Sequence, residues 1–283
     1  MAGPTAREFV LDLLSTRRHG GAMPVGALVA AAALLGIRGN TLRVALARLL
    51  GEGLVARDAR GEYGLGPHAA FVRQVRSWRD LPARTRRWSG SWVGVHLGGL
   101  GQTSRTGLRR RAHALGALGF RALRPGLWLR PDNLAGGVAA VREQLHLLGL
   151  DGGASVFGMT DLTAADRDRA RRLWRVAHLA TAYRAARSRL ERSETRLPRL
   201  PEPAAMTEAF RLGGHVIRLL ARDPLLPAEL SPEHDRDRLV EAMQRYDRAG
   251  RRLWVRFLGR YGVRPHPHAP ADLRLRLIAG SRR

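Results

Sequence analysis

One predicted helix, over residues 40–52, carries side chains of the kind that can approach and read base edges. Amide, hydroxyl and guanidinium groups form hydrogen bonds with base edges, and small or methyl-bearing side chains permit close approach. The apolar residues of this segment recur at three- and four-residue spacing, which places them on the opposite stripe of the helix. The sequence therefore predicts an amphipathic helix whose outer face carries Asn40, Thr41, Arg43, Val44, Ala47 and Arg48.

The residues on either side indicate how this helix is positioned. A shorter helix is predicted over residues 24–34, and Gly36 supplies the tight turn between the two helices. We expect Asn40 to cap the first turn of the second helix, since its side-chain oxygen can accept from free backbone amides. Gly51 and Gly53 are expected to end it. This order is typical of a helix-turn-helix unit.

A β-hairpin is predicted directly after the second helix. Short strands are expected over residues 54–57 and 62–65, and Gly61 can adopt the backbone conformation that a tight turn needs. With an opening helix predicted over residues 5–14, the order is that of a winged helix-turn-helix domain. Such a wing contacts phosphates or the minor groove, and the residues placed there are Arg57 and Arg60.

The combination of these features predicts double-stranded DNA as the partner. The simpler alternative is a small helical module that makes protein contacts only. Charge favours DNA, because 49 basic residues against 24 acidic ones give a net charge of +25, which attracts polyanions. The chain has no lysine, which indicates a GC-biased genome but does not explain the excess of basic over acidic residues. The charge is spread along the chain and therefore does not locate the site.

Composition also excludes several classes of chemistry. Without lysine there is no phosphate-loop or Schiff-base lysine, and without cysteine there is neither a disulfide nor a thiolate metal site. We predict no cofactor and no metal site, and we interpret the glycine-rich run 98–101 as a loop and His266 and His268 as part of a flexible tail. No apolar run could span a membrane and no signal-peptide core is present, which predicts a cytoplasmic protein with no membrane partner.

The chain has 283 residues, which allows two or three domains. Several arginines lie between the predicted hairpin and the next predicted strand, in a segment that could either track a DNA backbone or form a solvated linker. We predict a winged helix-turn-helix domain, a basic connector, a central domain and a helical C-terminal domain, at residues 1–66, 67–87, 88–161 and 162–283.

The predicted central domain alternates strands with helices in the order β-α-β-β-α-β. This order is that of a ferredoxin-like domain. Together with the helical head and the helical last third, it predicts an α+β protein. The strands are expected at residues 92–96, 120–123, 127–130 and 154–159, and the helices at 105–118 and 137–148.

A nuclease is an alternative for this central domain. Some small metal-dependent nucleases share the ferredoxin-like fold and carry carboxylates at the end of the first strand. Here that strand ends at His96 with no acid nearby, which argues against hydrolysis and for a protein that is not an enzyme. We interpret Asp132, Asp151 and Asp161 as cap or turn residues.

The last third of the chain is predicted to be all-helical. Helices are expected over residues 163–194, 206–222 and 236–261, the first capped by Asp161 or Thr163. Prolines should break the chain between the first two helices, and a rigid turn is expected at 223–227. The aromatic residues at helical spacing indicate a packed core rather than a ligand pocket.

Three separate motifs in this order resemble the PaaX family of bacterial transcriptional regulators. The first runs from Leu35 to Leu49 in the predicted helix-turn-helix, and the second is Gly126-Leu127-Trp128-Leu129-Arg130-Pro131-Asp132-Asn133-Leu134. The third is Asp223-Pro224-Leu225-Leu226-Pro227. The resemblance covers nearly the whole chain. It implies a winged-helix head, a central ferredoxin-like domain related to the Cas2 fold, and a helical C-terminal domain.

The resemblance also implies a mode of action. A homodimer would bind a palindromic operator and be released by an aryl-acyl-coenzyme A thioester, as in the repression of phenylacetate catabolism. One departure concerns the effector, because the usual Leu-Pro and tryptophan segment after Pro227 is replaced here by residues 229–234. We therefore expect a DNA-binding repressor whose acyl group can differ. The alternatives are a ferredoxin-fold nuclease with a DNA-targeting head and a ligand-independent DNA-binding protein.

Overall fold

The computed structural model describes residues 3–15, 21–69, 78, 81–97, 104–231 and 234–263. These residues form two compact units. The glycine-rich run 98–101, most of the predicted basic connector, and His266 and His268 lie outside the described residues. Unit 1 comprises Met1–Arg73, Leu200–Arg211 and Arg248–Arg283, and unit 2 comprises Gln74–Arg199 and Leu212–Asp247.

Helices and short antiparallel strands alternate in the first half of the chain, and helices follow. This confirms the α+β class. In chain order the elements are α1 (Ala6–Ser15), α2 (Val25–Leu34), α3 (Gly39–Gly51), β1 (Val55–Arg57), β2 (Tyr63–Leu65), α4 (Leu81–Arg84), β3 (Trp92–His96), α5 (Arg105–Ala117), β4 (Arg121–Arg124), β5 (Leu127–Pro131), α6 (Gly137–Leu147), β6 (Ser155–Met159), α7 (Ala164–Arg171), α8 (Val176–Arg196), α9 (Glu202–Ala221) and α10 (His234–Gly259).

Two glycine turns set the ends of α2 and α3. Gly53 has a φ of 67°, and the amides of Gly53 and Leu54 donate to the carbonyls of Leu50 and Leu49. Gly36 has a φ of 78° and ends α2 with the same pair of bonds. These are the bonds of a Schellman motif, which needs a left-handed residue and therefore favours glycine. They fix where the chain leaves each helix.

The prediction that Asn40 caps α3 is wrong. The helix begins at Gly39, so the capping position is Arg38, whose backbone is extended with φ −66° and ψ 141°. No side chain forms a capping hydrogen bond there. Asn40 instead lies in the first turn with its side chain exposed, where its Oδ1 accepts from Arg43 Nη1 at 3.5 Å.

The core of unit 1 draws on both ends of the chain. Phe9 of α1 packs against Phe210 of α9, with ring centroids 5.4 Å apart, and Met206 belongs to the same buried cluster. Thr207 Oγ1 also donates to the carbonyl of Leu34 at 2.9 Å. Helices α9 and α10 each contribute residues to unit 1 and to unit 2. The hydrophobic face of α1–α3 is therefore closed by side chains distant in sequence.

Unit 2 contains a four-stranded antiparallel sheet in the order β4-β5-β3-β6. Its central strand β3 pairs Trp92 with Pro131 of β5 and with Met159 of β6. Val93 and Val95 belong to a buried cluster with residues of α5 and α6. Trp92 belongs to a second cluster, with Leu129 and Trp174. The sheet is therefore buried on both faces near its centre.

The helical third differs from the prediction in two places. The helix expected over residues 163–194 is interrupted between Arg171 and Val176, and Thr163 rather than Asp161 caps α7 by accepting from the Asp166 amide. Helix α9 begins four residues early, because Pro203 lies in its first turn, where a missing amide costs nothing.

No helix among the described residues is long and apolar enough to cross a membrane.

A buried arginine joins β5 to the loop between α9 and α10. Arg130 is 2% exposed and donates to the carbonyls of Leu118, Pro131 (3.1 Å) and Pro224 (3.4 Å) and to Asn133 Oδ1 (3.0 Å). Burial, followed by the neighbouring Arg84, lowers the pKa of Arg130 to about 9, against the opposing effect of nearby carboxylates. The guanidinium is therefore charged at neutral pH and acts only as a donor.

The loop that Arg130 contacts is held in an unusual conformation. Leu225 has a φ of 51°, which is unfavourable for a bulky residue. Its carbonyl accepts from Asn133 Nδ2 at 2.7 Å, and its amide donates to Asp223 Oδ1 at 2.7 Å. Asp223 Oδ2 in turn accepts from the Tyr183 hydroxyl at 2.8 Å. Burial raises the pKa of Asp223, while Arg236 and these donors oppose the shift.

Asp151 begins a turn, as interpreted, since its carbonyl accepts from the Ala154 amide at 3.0 Å, but Asp132 and Asp151 also form ion pairs that the interpretation did not include. Asp132 is buried and pairs with Arg86 at 2.6 Å, and Asp151 pairs with Arg111 at 3.0 Å. The sequence pattern shows neither pairing, because the partners lie 46 and 40 positions apart. Arg86 comes from the predicted connector, and its amide donates to the carbonyl of Asn133 at 2.8 Å. This end of the connector is therefore part of unit 2.

We expect Asn133→Ala to destabilise unit 2 by about 2 kcal/mol, because it leaves a buried carbonyl and a buried guanidinium each without one partner. Urea unfolding monitored by tryptophan fluorescence measures this loss. His96→Ala, an exposed change on the same sheet, is the control and should stay within about 0.5 kcal/mol of wild type. Equal stability of the two variants would contradict the role of Asn133.

Candidate nucleic-acid interface

Helix α3 has one buried stripe and one open face. Leu42, Leu46 and Leu49 are buried in the core of unit 1. Ala45 and Leu50, predicted for the same stripe, are half-buried at its edges. The helix has 13 residues, so it is about 20 Å long. That length presents three turns of exposed side chains on a rigid support.

The structure places every predicted base-reading side chain of α3 on its open face. Val44 is 53% exposed, which is unusual for a β-branched apolar residue. An exposed Val44 leaves a methyl surface available for contact with a partner. The other exposed positions of this face are Asn40, Thr41, Arg43, Ala47 and Arg48.

The hairpin formed by β1 and β2 is held by side-chain contacts at its turn. Asp58 Oδ1 accepts from the amides of Arg60 and Glu62, each at 2.9 Å. Arg57 Nε donates to the carbonyl of Gly61 at 3.3 Å, and its guanidinium lies 5.7 Å from the ring centroid of Tyr63. Arg57 and Arg60 are both exposed. The hairpin therefore displays two arginines on a constrained turn.

Ionic and polar contacts fix the far end of α3. Arg7 of α1 pairs with Glu52 at 2.6 Å, directly after the last turn. The Glu52 carbonyl lies 2.9 Å from Nδ1 of His68, which follows the hairpin. Both contacts are solvent-exposed, so each contributes little to overall stability. Their effect is to hold α1, the end of α3 and the segment after the hairpin together.

Asp58 is a residue of this surface that the sequence analysis missed. An aspartate that accepts from the amides of the following residues forms an Asx turn, and Asp58 followed three residues later by Gly61 is the sequence signal for one. Asp58 Oδ1 is engaged by the backbone amides of the hairpin turn. The residue sets the backbone on which Arg57 and Arg60 are carried.

Three observations bear on the nuclease alternative. Among them, no group of three or more histidine, aspartate or glutamate side chains could hold a metal ion. β3 ends at the exposed His96, and Asp132 and Asp151 are engaged by arginines.

A small cavity in unit 2 lies beside Asp223. Tyr183, Leu226 and Arg236 are among the side chains that line it. Its volume is about 10 Å³, about the space that one water molecule occupies. In this conformation it is too small for an acyl group.

We expect Asp58→Ala to loosen the hairpin turn, because two backbone amides lose their acceptor. Hydrogen exchange at Arg60 and Glu62 should accelerate about tenfold, which corresponds to about 1.4 kcal/mol. Asp58→Asn keeps the accepting oxygen and should exchange within about threefold of wild type. Unchanged exchange in the alanine variant would show that the turn does not depend on Asp58.

Comparison with known proteins places this surface in context. A solved structure described as the uncharacterized protein Rv0674 from Mycobacterium tuberculosis is similar over 89% of this chain and 98% of its own. The TM-score is 0.58 and the sequence identity 28%. No curated protein matches the chain. The family model described as PaaX-like protein matches residues 5–68, and this segment includes α1, α2, α3 and the hairpin. The match confirms, for this segment, the resemblance to the PaaX family that the sequence predicted.

Proposed function

We propose that this protein is a DNA-binding transcriptional regulator whose head is a winged helix-turn-helix. The observation that carries the proposal is the open face of α3, where hydrogen-bonding, small and methyl-bearing side chains are exposed together. This face lies within the segment that matches the PaaX-like family. The chemistry of the face suits base edges in a major groove. No observation favours an enzyme in preference to a regulator.

The proposed roles follow from position on the head. Asn40, Thr41, Arg43, Val44 and Ala47 contact bases, and Arg48 contacts the edge of the groove. Arg57 and Arg60 contact phosphates or the minor groove from the wing. Base contacts select the sequence, whereas phosphate contacts supply affinity that is largely independent of sequence. This division makes the two groups of residues separable by experiment.

The proposal also covers the central domain and the oligomeric state. The order of elements from β3 to β6, with sheet order β4-β5-β3-β6, is what a ferredoxin-like domain of the Cas2 type would have. We propose a cytoplasmic homodimer, with two heads on the half-sites of a palindromic operator. The regulated genes would belong to an aromatic-acid catabolic operon that the dimer represses.

Arg43→Ala should weaken binding to the preferred operator by about 1–3 kcal/mol while changing binding to unrelated DNA little, because a bidentate contact with guanine is lost. The operator is first selected from fragments of the source genome. Fluorescence anisotropy at matched salt then compares both DNAs. Arg256→Ala, an exposed arginine on α10 in unit 1, is the charge-matched control and should retain discrimination. Equal discrimination by Arg43→Ala and wild type would contradict the assignment of α3.

The proposed effector is an acyl-coenzyme A thioester, for which phenylacetyl-coenzyme A is the first candidate. Titration of a thioester panel against the operator complex should release the DNA with one acyl group and not with free coenzyme A. The cavity beside Asp223 is not proposed as the acyl site, because it holds about one water. Retention of the DNA with every thioester would instead favour a ligand-independent DNA-binding protein.

A further inference from the structure

A dense run of arginines lies in unit 2, far along the chain from the head. It extends from the last turns of α7 into the break before α8, within the sequence Arg-Asp-Arg-Ala-Arg-Arg-Leu-Trp-Arg. All five of its arginines are exposed. We call these five residues the arginine patch: Arg167, Arg169, Arg171, Arg172 and Arg175.

The backbone under the arginine patch is anchored to the sheet. Ala170 and Trp174 are buried in one cluster with Trp92. The Trp174 indole stacks on Trp92 at 6.2 Å with an interplanar angle of 13°, and its Nε1 donates to the carbonyl of Gly119 at 3.0 Å. These contacts hold the break between α7 and α8 in place. The arginines between and beside the two buried anchors are therefore presented to solvent on a fixed backbone.

The acids beside the arginine patch offset only part of its charge, because Asp166 and Asp168 of α7 stand against five arginines. Asp166 pairs with Arg124 of β4 at 2.6 Å, and elsewhere in unit 2 Arg184 pairs with Asp235 at 2.6 Å. The bond from Arg124 is the largest cause of the lowered pKa of Asp166, and of the five patch arginines only Arg169 contributes to that shift. In the part of the chain that the structure describes, no arginine of the patch lies within salt-bridge distance of a carboxylate.

A purely structural explanation accounts for only part of this pattern. Arg169 and Arg171 lie in the last turn of α7, where positive charge interacts favourably with the helix dipole. Arg172 is the C-cap residue of α7 and shares this explanation, but Arg175 is the N-cap residue of α8, where the helix dipole disfavours positive charge.

The composition of the patch favours phosphates over a protein partner. Protein interfaces are centred on buried apolar or aromatic anchors. The large hydrophobic side chains of the patch's own segment, Leu173 and Trp174, are half-buried and buried, so this segment offers no exposed apolar anchor. Arginine forks match phosphate oxygens, and several unpaired arginines release counterions when they bind a nucleic-acid backbone.

We propose that the arginine patch is a second DNA-binding surface, which contacts the phosphate backbone of duplex DNA without reading its sequence. The proposal rests on the proposed function, since it assigns to unit 2 a share of the DNA affinity. The phosphate contacts of the arginine patch raise the affinity for every duplex, whereas α3 discriminates between sequences.

The test is the salt dependence of binding to a duplex of unrelated sequence. Replacing Arg171, Arg172 and Arg175 together by Gln should make the slope of log affinity against log salt shallower by about 2–3, since each lost phosphate contact contributes about 0.9. The same three residues changed to Lys should keep the slope within about 1 of wild type, because lysine retains the charge. Thermal unfolding of each variant verifies that it is folded.

The matched control removes the same charge from another exposed helix of unit 2. Arg105, Arg109 and Arg110 of α5, changed together to Gln, should leave the slope within about 1 of wild type. Equal flattening by both glutamine variants would overturn the proposal, because the affinity would then arise from diffuse charge. A slope unchanged in the patch variant would also overturn it.

The outcome is separable from that of the proposed function. Loss of non-specific affinity with operator discrimination intact is the expected result for the patch variant. If wild type shows no preference for any genomic sequence, the proposed function fails, while the slope on unrelated duplex still tests the arginine patch.

Discussion

Buried hydrogen bonds from Arg130 and Asn133 to the backbone at Pro224 and Leu225 are the constraint on which unit 2 depends. A buried guanidinium must find acceptors, and here carbonyls from three separate segments supply them. Asn133 links the guanidinium to the loop, since its side-chain oxygen accepts from Arg130 and its side-chain amide donates to the carbonyl of Leu225. Removing any one partner therefore leaves another buried group unsatisfied. This interdependence fixes the loop between α9 and α10 on the sheet.

The same cluster gives a structural role to two of the sequence motifs, residues 126–134 and 223–227. The motif around Arg130 supplies the donors, and the motif around Leu225 supplies the carbonyls and the buried Asp223. Helices α9 and α10, which that loop joins, also give Met206 and Phe257 to the core of unit 1.

The local part of this architecture could be predicted from the sequence. Periodic leucines and paired glycines predicted α2, α3 and the hairpin to within about one residue, because the signals lie within a few positions of each other. The α5 and β3 boundaries were predicted for the same reason.

What could not be predicted depends on distant partners. The bonds between Arg130 and Pro224 and between Tyr183 and Asp223 join residues 94 and 40 positions apart. The base-reading and wing residues are exposed as expected, whereas their contact with DNA stays a prediction.

The net charge of +25 becomes informative only when its arginines are separated by environment. Arg130 is buried and serves as a hydrogen-bond donor to the backbone, and Arg86 and Arg111 neutralise aspartates. The charges of Arg86 and Arg111 are offset by their aspartates, and Arg130 is buried, so these three arginines contribute little to the field that attracts a partner. Exposed arginines without a salt-bridge partner, such as Arg172 and Arg175, can neutralise phosphates and so displace the counterions condensed on a DNA backbone. How strongly a basic protein attracts a polyanion therefore depends on how many cations remain uncompensated at its surface. It also depends on whether the backbone beneath those cations is rigid.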